Sequence, residues 1–200
     1  MRTLGPPNLI ILDRDGVLNQ IVVHSEQGTI DSPMNVGEVI LIPGAADAVA
    51  ILTAELGCTL AIATNQPAAS KGKTTRAHLE AVHAEVLAQV GGAGKSSIAS
   101  SHLCFHRAED RCQCRKPETG LLEEALKLHG VAEKDRSKVW MVGDGVTDVE
   151  AGARLGLKTA FLGPRKLDAI TIFAEKRLEP GFWGQNLLEF ARFLKINRER

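Results

Sequence analysis

The sequence predicts an α/β fold in which a parallel sheet is covered by helices on both faces. Two observations predict it. Short β-prone apolar runs alternate along the chain with segments of helical periodicity, which implies strands joined by helical crossovers. In addition, Asp13, Thr64 and Asp144 stand at or just past the ends of three of those runs, and in such sheets ligands sit beyond the carboxyl ends of the strands.

Taken in order, Asn8 to Leu12 reads as a buried strand ending in acid. Residues 20 to 43 contain Gly28, Pro33, Gly37 and Pro43, and predict a long loop or small flap. Pro43-Gly44 opens an alanine-rich helix expected to run to Leu56, where Gly57 stops it. Thr59 to Ala63 is a second strand, ending in Thr64-Asn65-Gln66. Thr74 to Val90 is a helix, because Leu79, Val82, Val86 and Val90 recur at three-to-four spacing, and Gly91-Gly92 ends it. Ile98 to Leu103 is a third strand and Thr119 to His129 a helix closed by Gly130. Lys138 to Val142 is a fourth strand, leading into Gly143-Asp144. Val146 to Leu155 is a helix stopped by Gly156, and Lys158 to Leu162 a fifth strand. Phe182-Trp183 and an amphipathic helix from Asn186 to Ile196 are expected to pack against the core. No repeat, low-complexity tract or linker interrupts the pattern, so residues 1–200 are expected to form a single domain.

The composition narrows the function classes. The chain has 200 residues, 44% of them hydrophobic and 24% charged, with zero formal net charge. That balance, with no basic, aromatic-rich stripe, argues against nucleic acid as a partner. No apolar stretch approaches bilayer length, and Met1 to Asn8 lacks a hydrophobic signal segment, so no membrane partner and a cytoplasmic location are expected. Cys58 reads as a small core residue. The other three of the four cysteines fall with His106 in the run Cys104-x-His106 and Cys112-x-Cys114. Such short-range pairs of thiolate and imidazole ligands suit tetrahedral zinc, and four protein ligands would close the shell of a structural ion.

Asp13 and Asp15 stand two apart beyond the first strand, with Gly16 letting the chain turn away. One carboxylate can attack phosphorus to form an aspartyl-phosphate. The other can protonate the leaving alcohol and then activate water. Asp13 and Asp144 are the natural pair for magnesium, which takes oxygen ligands and few carboxylates, with Asp148 as an occasional ligand. Thr64 and Asn65 offer a hydroxyl and an amide to phosphate oxygens, Lys116 offers a positive charge, and Arg115 can grip a second anionic or polar group. Each of these alone is commonplace. Their convergence on one sheet edge is the argument for an active site.

The stretch Leu12-Asp13-Arg14-Asp15-Gly16-Val17-Leu18-Asn19 resembles the first motif of the haloacid dehalogenase superfamily of phosphatases. Thr64, Lys116 and Gly143-Asp144 with Asp148 resemble its second, third and fourth motifs, in order, across residues 8–162. The zinc-type cluster followed by Cys114-Arg115-Lys116-Pro117 is similar to a zinc-containing branch that holds heptose bisphosphate and histidinol-phosphate phosphatases. The resemblance implies a Rossmann-like core with a minimal cap and a zinc-bound loop over residues 104–114. It implies Asp13 as nucleophile and Asp15 as general acid/base, with Thr64 and Lys116 stabilising the phosphoryl group. Magnesium would be held by Asp13, the Asp15 carbonyl and Asp144, and zinc by Cys104, His106, Cys112 and Cys114. Asn19, Ile21, Val22, Val23, His24, Asn65, Gln66, Pro67 and Arg115 would meet a small phosphorylated substrate, in a monomer or weak dimer. Of the two activities, the 7-phosphatase of the heptose bisphosphate is the expected one, with the histidinol or another sugar phosphate as alternative and a zinc-stabilised binding module as the non-enzyme alternative. Gly145 departs from the family, which commonly places a basic residue there.

Overall fold

The computed structural model describes residues 9–24, 28–91, 97–164 and 167–198. The expectations for Met1 to Asn8, including the start of the first strand, and for Gly92 lie outside them, as does the side chain of His24. Six parallel strands form one sheet in the order β5-β4-β1-β6-β7-β8: β1 (Leu9–Leu12), β4 (Thr59–Asn65), β5 (Ser100–Cys104), β6 (Trp140–Gly143), β7 (Lys158–Leu162) and β8 (Phe182–Gly184). β2 (Val22–His24) and β3 (Thr29–Asp31) pair antiparallel as a separate hairpin.

All four residues of β1 are buried, as a strand inside a parallel sheet requires. Their side chains still alternate between two cores. Ile10 and Leu12 join a cluster with residues of α1 (Ala45–Ala50), α2 (Arg76–Gly91) and α6 (Leu187–Arg198), among them Val49, Val82 and Phe190. Leu9 and Ile11 face the other side, against Leu122 and Ala125 of α3 (Gly120–Leu128) and Ala151 of α4 (Val146–Arg154). The sheet is thus covered on both faces, with helices packed as the sequence periodicity predicts.

Three elements depart from the sequence reading. The first helix is regular only to Ala50; from Ile51 to Glu55 the ladder widens into a π-turn, with Leu56 N–H bonding Ile51 O at 3.0 Å. The Thr53 hydroxyl donates to Val49 O at 2.8 Å at that point, a side-chain bond of the kind that bends helices. The flap expected over residues 20–43 contains the β2–β3 hairpin and a short 3₁₀ turn, Val36–Glu38. Finally, residues 163–185 hold a helix, α5 (Leu167–Lys176), and the sixth strand, β8. Phe182 and Trp183 are therefore strand residues: Phe182 packs on Phe190 and Phe193, and Trp183 meets Phe161 and Phe173 at edge-on angles.

Candidate active site

The strand order places β4 and β6 on either side of β1, so the residues after their carboxyl ends meet those after β1. Asp13 follows β1 directly, and its N–H donates to Val142 O at 2.8 Å, fixing it at the sheet edge. Asp13 Oδ1 accepts from Arg14 N–H at 2.7 Å and forms an ion pair with Lys116 Nζ at 3.0 Å. The Lys116 ammonium is almost wholly buried; it also pairs with Asp148 Oδ1 at 2.6 Å and donates to Ala63 O at 2.7 Å. Burial opposes that charge, but Asp13 and Asp148 together outweigh it and hold the ammonium well above its ordinary pKa.

Asp13, Asp144 and Asp148 bring carboxylate oxygens within 4.8 Å of one another. Burial, followed by the repulsion of Asp148 and Asp15 against the attraction of Lys116, pushes Asp13 up to about 6. Asp144 sits exposed at the rim, yet desolvation and the charges of Asp13 and Asp148 push it up to about 7. Carboxylates crowded in this way with raised pKa values have an excess of negative charge that a divalent cation relieves. Two glycines allow the approach. A side chain on Gly16, which has φ of +79°, would collide with the Asp144 carboxyl, and one on Gly143 with that of Asp148.

Lys116 is set in place by two devices. Asn65, at the end of β4, donates from Nδ2 to Lys116 O and accepts Lys116 N–H on Oδ1, both at 3.1 Å. On the other side stands the cysteine cluster. Its four ligand atoms all lie within 4.8 Å of one another, and five of the six pairs are 3.2–3.7 Å apart: Cys104–Cys114 3.2 Å, His106 Nδ1–Cys114 3.3 Å, Cys112–Cys114 3.4 Å, Cys104–His106 Nδ1 3.6 Å and Cys104–Cys112 3.7 Å. These spacings are far longer than a disulfide. A zinc tetrahedron has S···S edges of about 3.8 Å and S···N edges of about 3.6 Å, given Zn–S near 2.3 Å and Zn–N near 2.0–2.1 Å. The cluster could therefore hold a metal ion. With the thiols this close, burial and then the neighbouring sulfurs push Cys114 up to about 12, a state that a cation at the centre would reverse.

The model of the haloacid dehalogenase-like hydrolases matches residues 26–156. The chain belongs to that family. It is 39% identical over 147 residues to a D-glycero-beta-D-manno-heptose-1,7-bisphosphate 7-phosphatase of Pseudomonas aeruginosa, covering 72% of this chain and 74% of the relative. It is 33% identical over 141 residues to the D-glycero-alpha-D-manno enzyme of Mycobacterium bovis, covering 70% and 69%. Among solved structures it is similar to the D,D-heptose 1,7-bisphosphate phosphatase of Bordetella bronchiseptica complexed with magnesium and phosphate. The TM-score is 0.73 and the identity 29%, over 96% of this chain and 99% of that one. This haloacid dehalogenase-like hydrolase is accordingly a phosphatase, a phosphoric monoester hydrolase.

Within the hydrolase, the residues expected to act together are sorted by the geometry. Asp13, Lys116, Asp144 and Asp148 come together at the carboxyl edge of β1, β4 and β6, and Thr64 lies buried near the end of β4 with its hydroxyl accepting from Gln66 Nε2. Asp148 is less a ligand than expected, since one oxygen holds Lys116 and the other accepts Gly145 N–H at 3.0 Å, capping α4. Gln66 and Asn19 need correction. Both are wholly buried, and their amide nitrogens are engaged on Asp15 rather than offered to a substrate. Gln66 Nε2 donates to Asp15 Oδ2 at 2.6 Å and to Thr64 Oγ1 at 2.9 Å, and Asn19 Nδ2 donates to Asp15 Oδ1 at 2.8 Å. Asn65 spends its amide on the Lys116 backbone. Ile21 and Val23 are 51% and 69% exposed on the flap, Val22 is half-buried, Pro67 lies half-buried in the loop after β4, and Arg115 reaches back to His106 O at 3.3 Å. Sequence reasoning missed Arg14 and Ser32. Both bond Asp15, and the one available signal was a cationic residue inside a buried acidic motif.

Proposed function

We propose that the enzyme removes the 7-phosphate of a D-glycero-D-manno-heptose 1,7-bisphosphate through an aspartyl-phosphate on Asp13. The observation that carries this reading is the buried ion pair of Asp13 with Lys116 beside the Asp144 carboxylate. Both recorded contacts of Asp13 fall on Oδ1 among the described residues, which leaves Oδ2 for attack on phosphorus. A new Oδ2–P bond forms as the P–O bond to the sugar breaks, and Asp15 gives its proton to the departing alkoxide. Water, deprotonated by the same Asp15, then cleaves the aspartyl-phosphate and restores Asp13. Lys116 would offset the phosphoryl charge in both steps, and the Thr64 hydroxyl would hydrogen-bond a phosphoryl oxygen.

Asp13, the Asp15 carbonyl and Asp144 would hold magnesium, and the ion would shield phosphate from carboxylate charge. The relative from Bordetella bronchiseptica was solved with magnesium and phosphate, which supports this set. Cys104, His106, Cys112 and Cys114 would hold a structural zinc, and the near-tetrahedral spacing of their ligand atoms supports it. Arg115 and the flap residues Ile21 to Val23 would line the sugar side. The cytoplasm, where thiolate clusters stay reduced, suits such a site.

The test compares magnesium-dependent phosphate release from heptose 1,7-bisphosphate, histidinol phosphate and ordinary hexose phosphates. The expected result is a specificity constant highest for the heptose, with heptose 1-phosphate as product. A higher value for histidinol phosphate overturns the substrate assignment. The covalent route is checked separately: Asp13→Asn should abolish turnover with folding and zinc content unchanged, and near-normal rates would exclude it.

A further inference from the structure

Arg14 is a large, fully buried cation in an active site that already holds one in Lys116. Among the described residues its only ion pair is with Asp15. The guanidinium fork donates from Nε to Asp15 Oδ1 at 3.1 Å, and from Nη2 to Oδ1 at 2.9 Å and Oδ2 at 3.0 Å. The same Nη2 donates to Gln66 Oε1 at 2.9 Å. Gln66 then turns its amide nitrogen onto Asp15 Oδ2 and the Thr64 hydroxyl. One carboxamide therefore links three groups, while Asn19 and Ser32 hold Asp15 from elsewhere.

A planar fork on a carboxylate fixes the plane of that carboxylate as well as its distance. Burying a guanidinium is costly, and only good geometry and further hydrogen bonds offset that cost. The guanidinium charge also reaches His83 of α2, which is buried and whose imidazole is pulled down to about 4, by burial first and then by Arg14. Neither Arg14 Nη1 nor the ring nitrogens of His83 have a hydrogen-bond partner among the described residues. Arg14 is thus committed to Asp15.

We infer that Arg14 and Gln66 are positioning residues that set the orientation of the Asp15 carboxyl group, so that proton transfer to the leaving alcohol depends on them and substrate binding does not. The inference rests on Asp15 being the general acid/base. Both side chains are wholly buried and engaged on Asp15, so they act through it and are not catalytic residues.

The experiment measures first-turnover alcohol release by the magnesium-loaded enzyme from two monoesters. 4-Nitrophenyl phosphate expels a stable phenolate that needs little protonation, whereas glycerol phosphate expels an alkoxide that needs a proton. Asp15→Asn is the reference, and general acid catalysis predicts about a 100-fold or greater loss confined to the alkyl ester. Gln66→Met keeps the volume and removes the amide. It should reproduce that leaving-group-selective loss at about 10-fold or more, with KM changed by no more than about two-fold. Arg14→Met should do the same more strongly; should it fail to fold, Gln66→Met decides alone. Equal losses on both esters, or a raised KM at unchanged kcat, would overturn the inference while leaving the role of Asp15 intact. If Asp15→Asn itself shows no selectivity, the acid/base reading fails, and the inference with it.

Discussion

At the scale of single residues, the site divides into side chains whose type announces their chemistry and side chains whose neighbours decide it. Asp13, Asp144 and Lys116 belong to the first kind: they are charged residues next to buried strands or a cysteine cluster, and their pattern was legible. Gln66 and Asn19 belong to the second. Nothing local in Thr64-Asn65-Gln66 tells that the amide of Gln66 turns inward, because its partners Asp15 and Arg14 lie some fifty residues away in sequence. Gly145 is a third case. Its φ of −101° is open to any residue, so backbone geometry does not require glycine. A Cβ there would stand 3.1 Å from Asp148 Oδ2 and 3.2 Å from Thr147 Oγ1, a tight fit that a small shift of these side chains relieves. Gly145→Lys should lower KM for a bisphosphate about ten-fold, the scale of one charge-assisted phosphate contact, and leave KM for a monophosphate nearly unchanged. Steady-state kinetics on the two substrates check it.

At the scale of elements, the loop between β5 and α3 carries the most consequence for its length. It starts with Cys104 at the end of a strand and delivers Lys116 two residues after Cys114. Cys112→Ser should lower kcat on every substrate and cut bound zinc below one ion per chain, while Lys116 loses its fixed backbone. Metal analysis and kinetics on the same sample check both, and stoichiometric zinc with unchanged kcat would refute it. The elements the sequence did not reveal were those that lack length or a strong period. β8 has three residues, too few for an alternating pattern, and its place is set by pairing with β7. α5 had a usable signal in Ala169 and Phe173, four apart and packed together with Trp183, but no clear cap or glycine stop marked it. The π-turn after Ala50 was hidden because its apolar spacing resembles that of a regular helix.

At the scale of the whole molecule, the alternation of apolar runs and helices was enough to give the sheet, since a parallel arrangement follows from the crossovers alone. The two cores, by contrast, depend on which way each strand residue points. The balance of buried charge also emerges only here, and it predicts how stability responds to pH. The folded-state pKa of His83 is about 4 against 6.5 for the free group. A group lowered in this way stabilises the fold fully above 6.5, and that contribution is lost as pH falls towards 4, up to about 3 kcal/mol. Asp13 and Asp144 act in the opposite sense. Their raised values mean a contribution present below 3.8 and lost as pH rises through about 6 and 7, until a cation binds. In metal-free protein, His83→Leu should therefore gain in Tm relative to the parent as pH falls from 7 to 5, which calorimetry at matched ionic strength reads. Over the same interval the affinity for magnesium should drop, because protons compete for the two carboxylates.

The position of β1, third in a row of six, has one more consequence. Fraying begins at the margins of a sheet, and here the margins are β5 and β8, while the strand that leads into Asp13, the proposed nucleophile, has a paired neighbour on each side. Backbone amides of Ile10 to Leu12 should be the last to exchange deuterium, opening only when the whole chain unfolds. Opening of the flap or the outer strands would then leave in place the Asp13 carboxylate proposed to take the phosphoryl group.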